Sequence, residues 1–286
     1  MAAASDIVTG DIVMDAVRAA DHNRYLSALY APADKRDALL ALYAFNAEIA
    51  SVRDRIHEPL PGEVRLQWWR DVIMADGDAE TGHPTADALR ATIAAHHLPK
   101  AAFDNMLEAR IFDLYDDPMP SRTDLEGYCG ETAAALIQLA AMALDPVAAS
   151  GFAELAGRAG CAQAIAGLLL LLPLHRRRGQ CYVPTDILAA AGTTPEEFVK
   201  DGGAAAERAV AAMIALAREH LNAFEKGAPT LPVALRPAFL PLALTRAYLD
   251  KMEKTGRSPL TATATLSTLR RHWLLLRHAM RGWAPL

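Results

Sequence analysis

The stretch YAFNAEIASVRD, residues 43–54, decides the fold that this chain can adopt. Apolar residues recur at helical spacing through it and before it, and neither Gly nor Pro interrupts it. We therefore predict one helix that begins near Asp34 and continues to about Ile56. On such a helix Ala50 and Asp54 would share a face, because residues four positions apart are neighbours.

Composition places the chain in the all-α class. The 286 residues are 52% hydrophobic, which is enough for a substantial core, and Ala and Leu dominate that fraction. We find no segment of useful length in which apolar and polar residues alternate, as strands would require. No internal repeat or linker divides the sequence. We therefore predict a single domain over residues 1–286, with a loose lead-in over residues 1–10.

Charge and cysteine content argue against several classes of protein. A formal net charge of -5 disfavours a nucleic-acid partner. Three cysteines without CxxC spacing fit a reduced cytosolic setting better than a disulfide framework. The amino-terminal sequence lacks the pattern of a secretory signal, and the most apolar stretch, residues 162–174, is too short to span a bilayer. We expect a cytoplasmic protein with at most peripheral contact at the inner face of a membrane.

Capping and breaker residues predict the remaining helices. Their expected ranges are about 11–30, 85–96, 99–115, 121–144, 146–173, 204–224, 237–253 and 263–281, and a further helix begins near Glu63 and ends before the loop at Gly77. Within the range 121–144, Tyr128 and Cys129 are followed by small residues. Small side chains let helices approach closely, so we expect a tight helix contact there.

Residues 43–54 resemble the first aspartate-rich helix of the squalene/phytoene synthase family, which reads approximately YAFCRxxDDxxD. The Tyr-Ala-Phe lead-in and Asp54 match it. Ala50 and Ser51 stand where the family has its paired aspartates, and Ala47 stands where it has an arginine. The resemblance implies an isoprenoid-synthase-like helical bundle around a central cavity, in which such carboxylates hold magnesium on a diphosphate.

A second family signature, approximately QxxNxxRDxxEDxxxGRxYLP, resembles residues 163–184, QAIAGLLLLLPLHRRRGQCYVP. Gln163, Tyr182 and Pro184 match, and Gly179 fits the Gly-Arg pair of the family. The aspartates of the signature fall on leucine or histidine, whether the alignment is anchored at its first or its last match. The second half of the expected magnesium site therefore also lacks its ligands.

No Asp or Glu occurs between Glu154 and Asp186, so no small shift of register supplies a carboxylate. Protein-bound magnesium is held through one or two carboxylates per ion, and two facing pairs are the minimum cage for a cluster. Asp54 opposite the leucine run of residues 168–172 is not such a cage. We therefore predict no catalytic residue, no cofactor and no bound metal.

The basic run HRRR, residues 175–178, concentrates positive charge beside the residues that match the second signature. Cations are favoured at the carboxyl end of a helix, so a solvated helix end is one interpretation. The other interpretation is an anion-binding site, because arginine guanidinium groups form paired hydrogen bonds with anions. Such a site would bind a diphosphate or an acidic partner surface. Asp54 is either a helix-pairing carboxylate or a lone ligand. The candidate cavity or anion-binding residues are Tyr43, Asp54, Gln163, Arg177, Arg178 and Tyr182.

The departures from the signatures resemble one branch of the family, the non-enzymatic complex I assembly factors of mitochondria. The segments AFNAEIASVRD, QWWR and AQAIAGLLLLLPLHRRRGQCYVP carry this likeness. The resemblance implies a protein partner such as a complex I subunit, and a groove that could hold a lipid or an isoprenoid. The alternative hypothesis is a head-to-head prenyltransferase that joins two isoprenyl diphosphates and requires Mg²⁺.

Overall fold

The computed structural model describes residues 2–77, 80–254 and 258–283. These residues form helices and no β-strand, which confirms the all-α class. The α-helices are α1 (Ala2–Ala20), α2 (His22–Ala28), α3 (Ala33–Ala50), α4 (Val52–Arg55), α5 (Pro59–Met74), α6 (Pro84–His96), α7 (Lys100–Ile111), α8 (Arg122–Cys129), α9 (Ala135–Leu144), α10 (Pro146–Ala149), α11 (Ala153–Arg178), α12 (Thr185–Ala191), α13 (Pro195–Lys200), α14 (Ala204–Gly227), α15 (Arg236–Phe239), α16 (Thr245–Lys254) and α17 (Thr268–Arg281).

The helices group into two compact units. The first unit is formed by the described residues of Met1–Tyr115, Ala135–Ala153 and Pro232–Pro241. The second is formed by those of Asp116–Ala134, Glu154–Leu231 and Leu242–Leu286. The expectation of one domain over the whole chain stays a prediction.

Helix α3 forms the centre of the first unit, where it packs against α1, α6 and α9. Leu39, Leu42 and Phe45 of this helix are fully buried. The Phe45 ring meets Trp69 of α5 and Phe103 of α7 edge-on, with centroids 5.2 and 5.6 Å away. A helix that is apolar around most of its circumference must be covered on several sides, and α3 is.

The helix predicted through residues 43–54 is interrupted at Ser51, so the prediction of one continuous helix is wrong. Helix α3 ends at Ala50, and Ser51 has φ -95° and ψ 4°. The Ser51 hydroxyl donates a hydrogen bond to the carbonyl oxygen of Glu48 at 3.1 Å. A serine that bonds to the preceding turn competes with the backbone pattern of the helix. Ala50 and Asp54 consequently lie on different helices.

The amino-terminal helix begins at Ala2, whereas the sequence predicted a loose lead-in over residues 1–10 and a first helix from about residue 11. Alanines favour a helix more than any other residue, and residues 2–4 are alanines. The same expected helix is divided at Asp21, whose carboxylate accepts a hydrogen bond from the backbone N–H of Arg24 at 2.9 Å. Asp21 thus caps α2 and separates it from α1.

In the second unit α14 packs against α12 and α16. Its buried residues, which include Val210, Met213, Ala217, Leu221 and Phe224, recur every three or four positions along one face. This spacing is that of an amphipathic helix. It explains why the predicted range of 204–224 agrees with the observed helix to within one turn.

Helix α11 continues through Pro173 to Arg178, whereas the sequence predicted that it would end at or soon after this proline. Tertiary hydrogen bonds hold the additional turn in place. The guanidinium of Arg176 donates to the backbone carbonyl oxygens of Phe198, Leu260 and Asp201 at 3.0, 2.9 and 2.8 Å. These contacts offset the missing backbone donor of the proline, which residue-by-residue rules cannot anticipate.

The carboxyl end of α11 is set by Gly179, which has φ +81°. The N–H of Gln180 bonds to the carbonyl oxygen of His175 at 3.0 Å, as in a Schellman end. Only glycine adopts this left-handed conformation without strain. The turn directs the chain into residues 180–184, where the N–H of Met119 bonds to the carbonyl oxygen of Cys181 at 3.0 Å.

Residues 121–144 form α8, a π-helical turn at Gly130–Ala134 and α9, rather than the single helix predicted. The Thr132 hydroxyl donates to the carbonyl oxygen of Tyr128 at 2.6 Å and competes with the regular helical bond at this point. Gly160 of α11 lies against the turn. A Cβ atom on Gly160 would be 2.4 Å from the Ala134 Cα atom. The expected tight contact between helices is therefore present.

One helical run in the part of the chain that the structure describes, Pro146–Arg178, is long and apolar enough to cross a membrane by length and composition. It has 33 residues, and it includes the stretch of residues 162–174 that is too short on its own. Half of its most apolar window is buried inside the protein, as in a core helix. Because core helices pass the same test, the run is weak evidence for a membrane span.

We expect the substitution G160A to lower the free energy of unfolding by about 1–3 kcal/mol, because the new methyl group would overlap the backbone of Ala134. The matched control is G167A in the same helix, where a Cβ atom meets nothing within 4 Å. That substitution should be neutral or should raise the free energy of unfolding by up to about 1 kcal/mol. Urea denaturation of the full chain measures both. Equal effects of the two substitutions would contradict the close contact.

Candidate functional site

Tyr43, the first predicted site residue, lies in the core of the first unit, with only 2% of its surface exposed. The Arg24 guanidinium lies 5.9 Å from the centroid of its ring, and Asp21 neutralises that guanidinium at 2.6 Å. Burial raises the pKa of the Tyr43 hydroxyl far above its ordinary value. The hydroxyl has no hydrogen-bond partner among the described residues. Tyr43 is therefore a neutral core residue rather than an acid or base.

The two carboxylates of the first motif are not arranged to share a metal. The Glu48 carboxylate lies 3.2 Å from the guanidinium of Arg55 and 3.8 Å from that of Arg65. Asp54 is exposed on α4, beyond the break at Ser51. The motif thus presents one glutamate paired with arginine and one solvent-facing aspartate. It does not present the carboxylate pair that the family signature would supply.

The basic run at the end of α11 separates into residues with different surroundings. Arg176 is half-buried and bonds to three carbonyl oxygens of other segments. Arg177 and Arg178 are exposed. The Nε atom of Arg177 donates to the carbonyl oxygen of Pro173 in its own helix at 3.1 Å. Arg176 therefore has a structural role, whereas Arg177 and Arg178 lie at the surface of the helix end.

Tyr182 lies in an aromatic cluster of the second unit. Its ring centroid is 4.7 Å from that of His175 and 6.2 Å from that of Tyr128. Tyr182 and His175 are both buried, and Gln163 is half-buried earlier on α11. Tyr182 matches the family signature, and His175 stands where that signature has an aspartate when the alignment is anchored at Tyr182. The structure places these two side chains in contact. An imidazole that packs on a phenol ring is a core contact.

A polar network between α8 and α14 was missed by the sequence analysis. The Nε2 atom of His220, a residue only 4% exposed, lies 3.0 Å from Oε1 of Glu126. Arg122 donates to the same oxygen from Nε at 3.0 Å and to Glu219 from Nη2 at 3.0 Å. The hydrogen bond from Arg122 holds the pKa of Glu219 below its ordinary value. The one sequence feature that could have predicted part of this network is the i,i+4 spacing of Arg122 and Glu126.

The donor set does not fit a magnesium cluster. Among residues 2–77, 80–254 and 258–283, no group of three or more His, Cys, Asp or Glu is arranged to hold a metal ion. Glu48, in the first motif, and Glu126 of α8 are engaged by basic side chains. Cys181 offers no thiolate, because burial raises the pKa of its thiol to about 11. The residues present therefore do not fit the magnesium that the signatures imply.

The six predicted residues are divided between the units. Tyr43 and Asp54 belong to the first unit, and they lie on different helices with different exposure. The other four belong to the second unit: Gln163, Arg177, Arg178 and Tyr182. The central cavity and its occupant stay predictions.

The squalene/phytoene synthase family model matches residues 17–277. The chain is 29% identical over 256 residues to the human protein named NADH dehydrogenase (ubiquinone) complex I, assembly factor 6. The aligned region covers 86% of this chain and 74% of the human protein. It is 25% identical over 257 residues to phytoene synthase 1, chloroplastic, of Arabidopsis thaliana. That aligned region covers 86% of this chain and 60% of the Arabidopsis protein.

The solved structure of a dehydrosqualene synthase in complex with a ligand has the same fold. It superposes with a TM-score of 0.82 at 18% identity, and the match covers 94% of each chain. At this identity the likeness concerns the fold alone. Since the family model spans most of the sequence and the helical architecture agrees with it, the chain belongs to the squalene/phytoene synthase family.

Proposed function

We propose that this chain is a non-catalytic member of the family and acts as an assembly factor for respiratory complex I. The observation that carries the proposal is the absence of a metal-binding carboxylate pair at either signature. Ala50 and Ser51 replace the pair on the first, and the second has no carboxylate in any nearby register. The likeness to complex I assembly factor 6 supports the same role.

The alternative is a prenyltransferase that joins two isoprenyl diphosphates, and the likeness to a phytoene synthase favours it. Ionisation of an allylic diphosphate requires that the charge of the leaving group be neutralised, as Mg²⁺ does in a carboxylate cage. Glu48 is held by Arg55 and Arg65, Glu126 is held by Arg122 and His220, and Asp54 stands in the first signature without a second aspartate. A lone aspartate and two ion-paired glutamates do not make such a cage. This chemistry supports the assembly role over the enzyme.

The surface that we propose for a protein partner includes Arg177 and Arg178. Both are exposed at the carboxyl end of α11, next to Arg176, which anchors that end to other segments of the second unit. A fixed helix end with two accessible guanidinium groups suits an acidic surface. We place the protein in the cytoplasm, with peripheral contact at the inner face of a membrane, as a further part of this proposal.

Purified protein incubated with farnesyl diphosphate and Mg²⁺ should release no diphosphate above a buffer blank, because no carboxylate cage holds the metal. A squalene or phytoene synthase with both aspartate-rich motifs intact serves as the positive control. Product formation that depends on Mg²⁺ would reject the non-catalytic assignment. In cells, deletion of the gene should lower complex I activity, which reports on the assembly role separately.

We expect D54N to leave complex I activity in cells within about twofold of wild type. Asp54 is exposed on the short helix α4, and no second carboxylate adjoins it in the motif. As a comparison, R24Q would remove the guanidinium that lies over Tyr43 and should lower thermal stability. A severe loss of activity in well-folded D54N protein would count heavily against a role without metal.

The double charge reversal R177E/R178E should lower complex I activity several-fold while the melting temperature changes little, because both side chains are exposed. The control R177K/R178K keeps the two charges and should retain most activity if the partner surface responds to charge. R176A, by contrast, should lower the melting temperature, since three backbone carbonyl oxygens lose their donor. Unchanged activity in R177E/R178E would remove this surface from the proposal.

A further inference from the structure

The last described helix, α17, belongs to the second unit and has one buried residue. That residue, Leu275, is fully buried. After the helix, the Trp283 ring packs edge-on against Phe224 of α14, with centroids 5.1 Å apart, and against His278 at 5.3 Å. Ser267 caps the start of the helix by accepting the N–H of Arg270 at 3.3 Å. Leu275 and Trp283 thus join this part of the chain to the second unit.

The face of α17 that points away from Leu275 is apolar and exposed. Leu269, Trp273, Leu276 and Met280 are 81%, 56%, 46% and 72% exposed. Their spacing of four, three and four residues places them within an arc of about 60° at 100° per residue. Single exposed apolar side chains are ordinary on protein surfaces, but a continuous stripe of four along a helix is typical of a binding surface. We refer to these four residues as the α17 stripe.

Positive charge borders the α17 stripe. Arg270, Arg277 and Arg281 lie along one side of it, at about 80–120° from Leu269 around the helix axis. The Arg277 guanidinium lies 5.7 Å from the centroid of the Trp273 ring. An arginine beside an indole combines a cation with an amphipathic ring, the pair that suits a boundary between water and an apolar phase.

The charge is segregated along the whole carboxyl-terminal sequence. The last 33 residues contain six Lys or Arg and no Asp or Glu. Because the whole chain has a formal net charge of -5, the preceding 253 residues carry -11. The net charge of the whole chain does not indicate this difference in charge between the carboxyl-terminal segment and the rest. This difference makes α17 attractive to a negatively charged surface although the protein as a whole is acidic.

We propose that α17 is a membrane-surface helix that docks on a bilayer of anionic phospholipids. Its stripe would enter the boundary between headgroups and acyl chains, and its arginines would face the lipid phosphates. Trp273 stands near the middle of the stripe, and tryptophan favours this interfacial depth. The absence of Asp and Glu over the last 33 residues lowers the repulsion that an anionic surface would otherwise exert on this segment.

Charge and shape together favour a bilayer over other anionic partners. A nucleic acid would be contacted through basic and polar groups and would leave the four apolar side chains of the stripe unused. A second copy of this chain would bring arginine against arginine along the same border. A bilayer satisfies both features at once, because it offers phosphate at its surface and an apolar layer beneath it.

The test is flotation of the full chain with vesicles of phosphatidylcholine alone or with one third phosphatidylglycerol. Wild-type protein should bind the anionic vesicles and bind the neutral ones at least tenfold more weakly. W273S/L276S should reduce binding at least tenfold, and R270Q/R277Q should reduce it by about fivefold for each arginine. The matched control L60S/V64S alters two exposed apolar residues of α5, 71% and 64% exposed, and should bind like wild type.

Three outcomes would overturn the proposal. The first is equal binding to neutral and anionic vesicles, and the second is unchanged binding by W273S/L276S. The third is a dimer of the wild-type chain, seen by light scattering, that W273S/L276S dissociates while vesicle binding is absent. The melting temperature of each variant is measured in parallel, and the exposure of the substituted residues predicts little change. Because no complex I component enters the assay, its outcome is independent of the assembly role.

Discussion

Among the described residues, Glu48 and Glu126 are engaged by basic side chains rather than arranged as a metal-binding pair. Glu48 lies beside Arg55 and Arg65, and Glu126 accepts hydrogen bonds from Arg122 and His220. In the family signatures the carboxylates are paired and hold magnesium, whereas here Ala50 and Ser51 stand at the paired positions of the first signature. The described glutamates are instead compensated by neighbouring side chains, and the helices are held by their packing.

That packing begins with α3, whose apolar residues could be recognised from the sequence. Local signals were reliable at two helix starts, where Pro146 opens α10 and Ser121 caps α8. They were not reliable at Asp21, which divides α1 from α2, or at Gly179, which ends α11 beyond the predicted end at Pro173. The breaks at Ser51 and at the π-helical turn could not be predicted in this way. Each depends on a side-chain hydroxyl that competes with the helical backbone, and many serines and threonines do not do so.

The sequence predicted which carboxylates the candidate site lacks. It did not predict the partners of the polar residues that the site contains. The missing carboxylates could be read directly from residues 43–54 and 163–184. The different roles of Arg176 and Arg177 could not, because the carbonyl oxygens that bind Arg176 belong to segments 22, 25 and 84 residues away. The Glu126–His220 contact spans 94 residues and was equally hidden. Long-range partners are absent from any local pattern.

The replacement of acidic residues also changes what the scaffold needs in order to be stable. Clustered carboxylates without their metal repel one another and cost stability, so a metal-dependent site is best folded when it is occupied. Alanine, serine and leucine at these positions impose no such cost. Folding of this chain therefore carries no cost from clustered carboxylates at the two signatures. The recognition surfaces that we propose, the exposed arginines of α11 and the α17 stripe, accordingly do not depend on a bound metal or substrate.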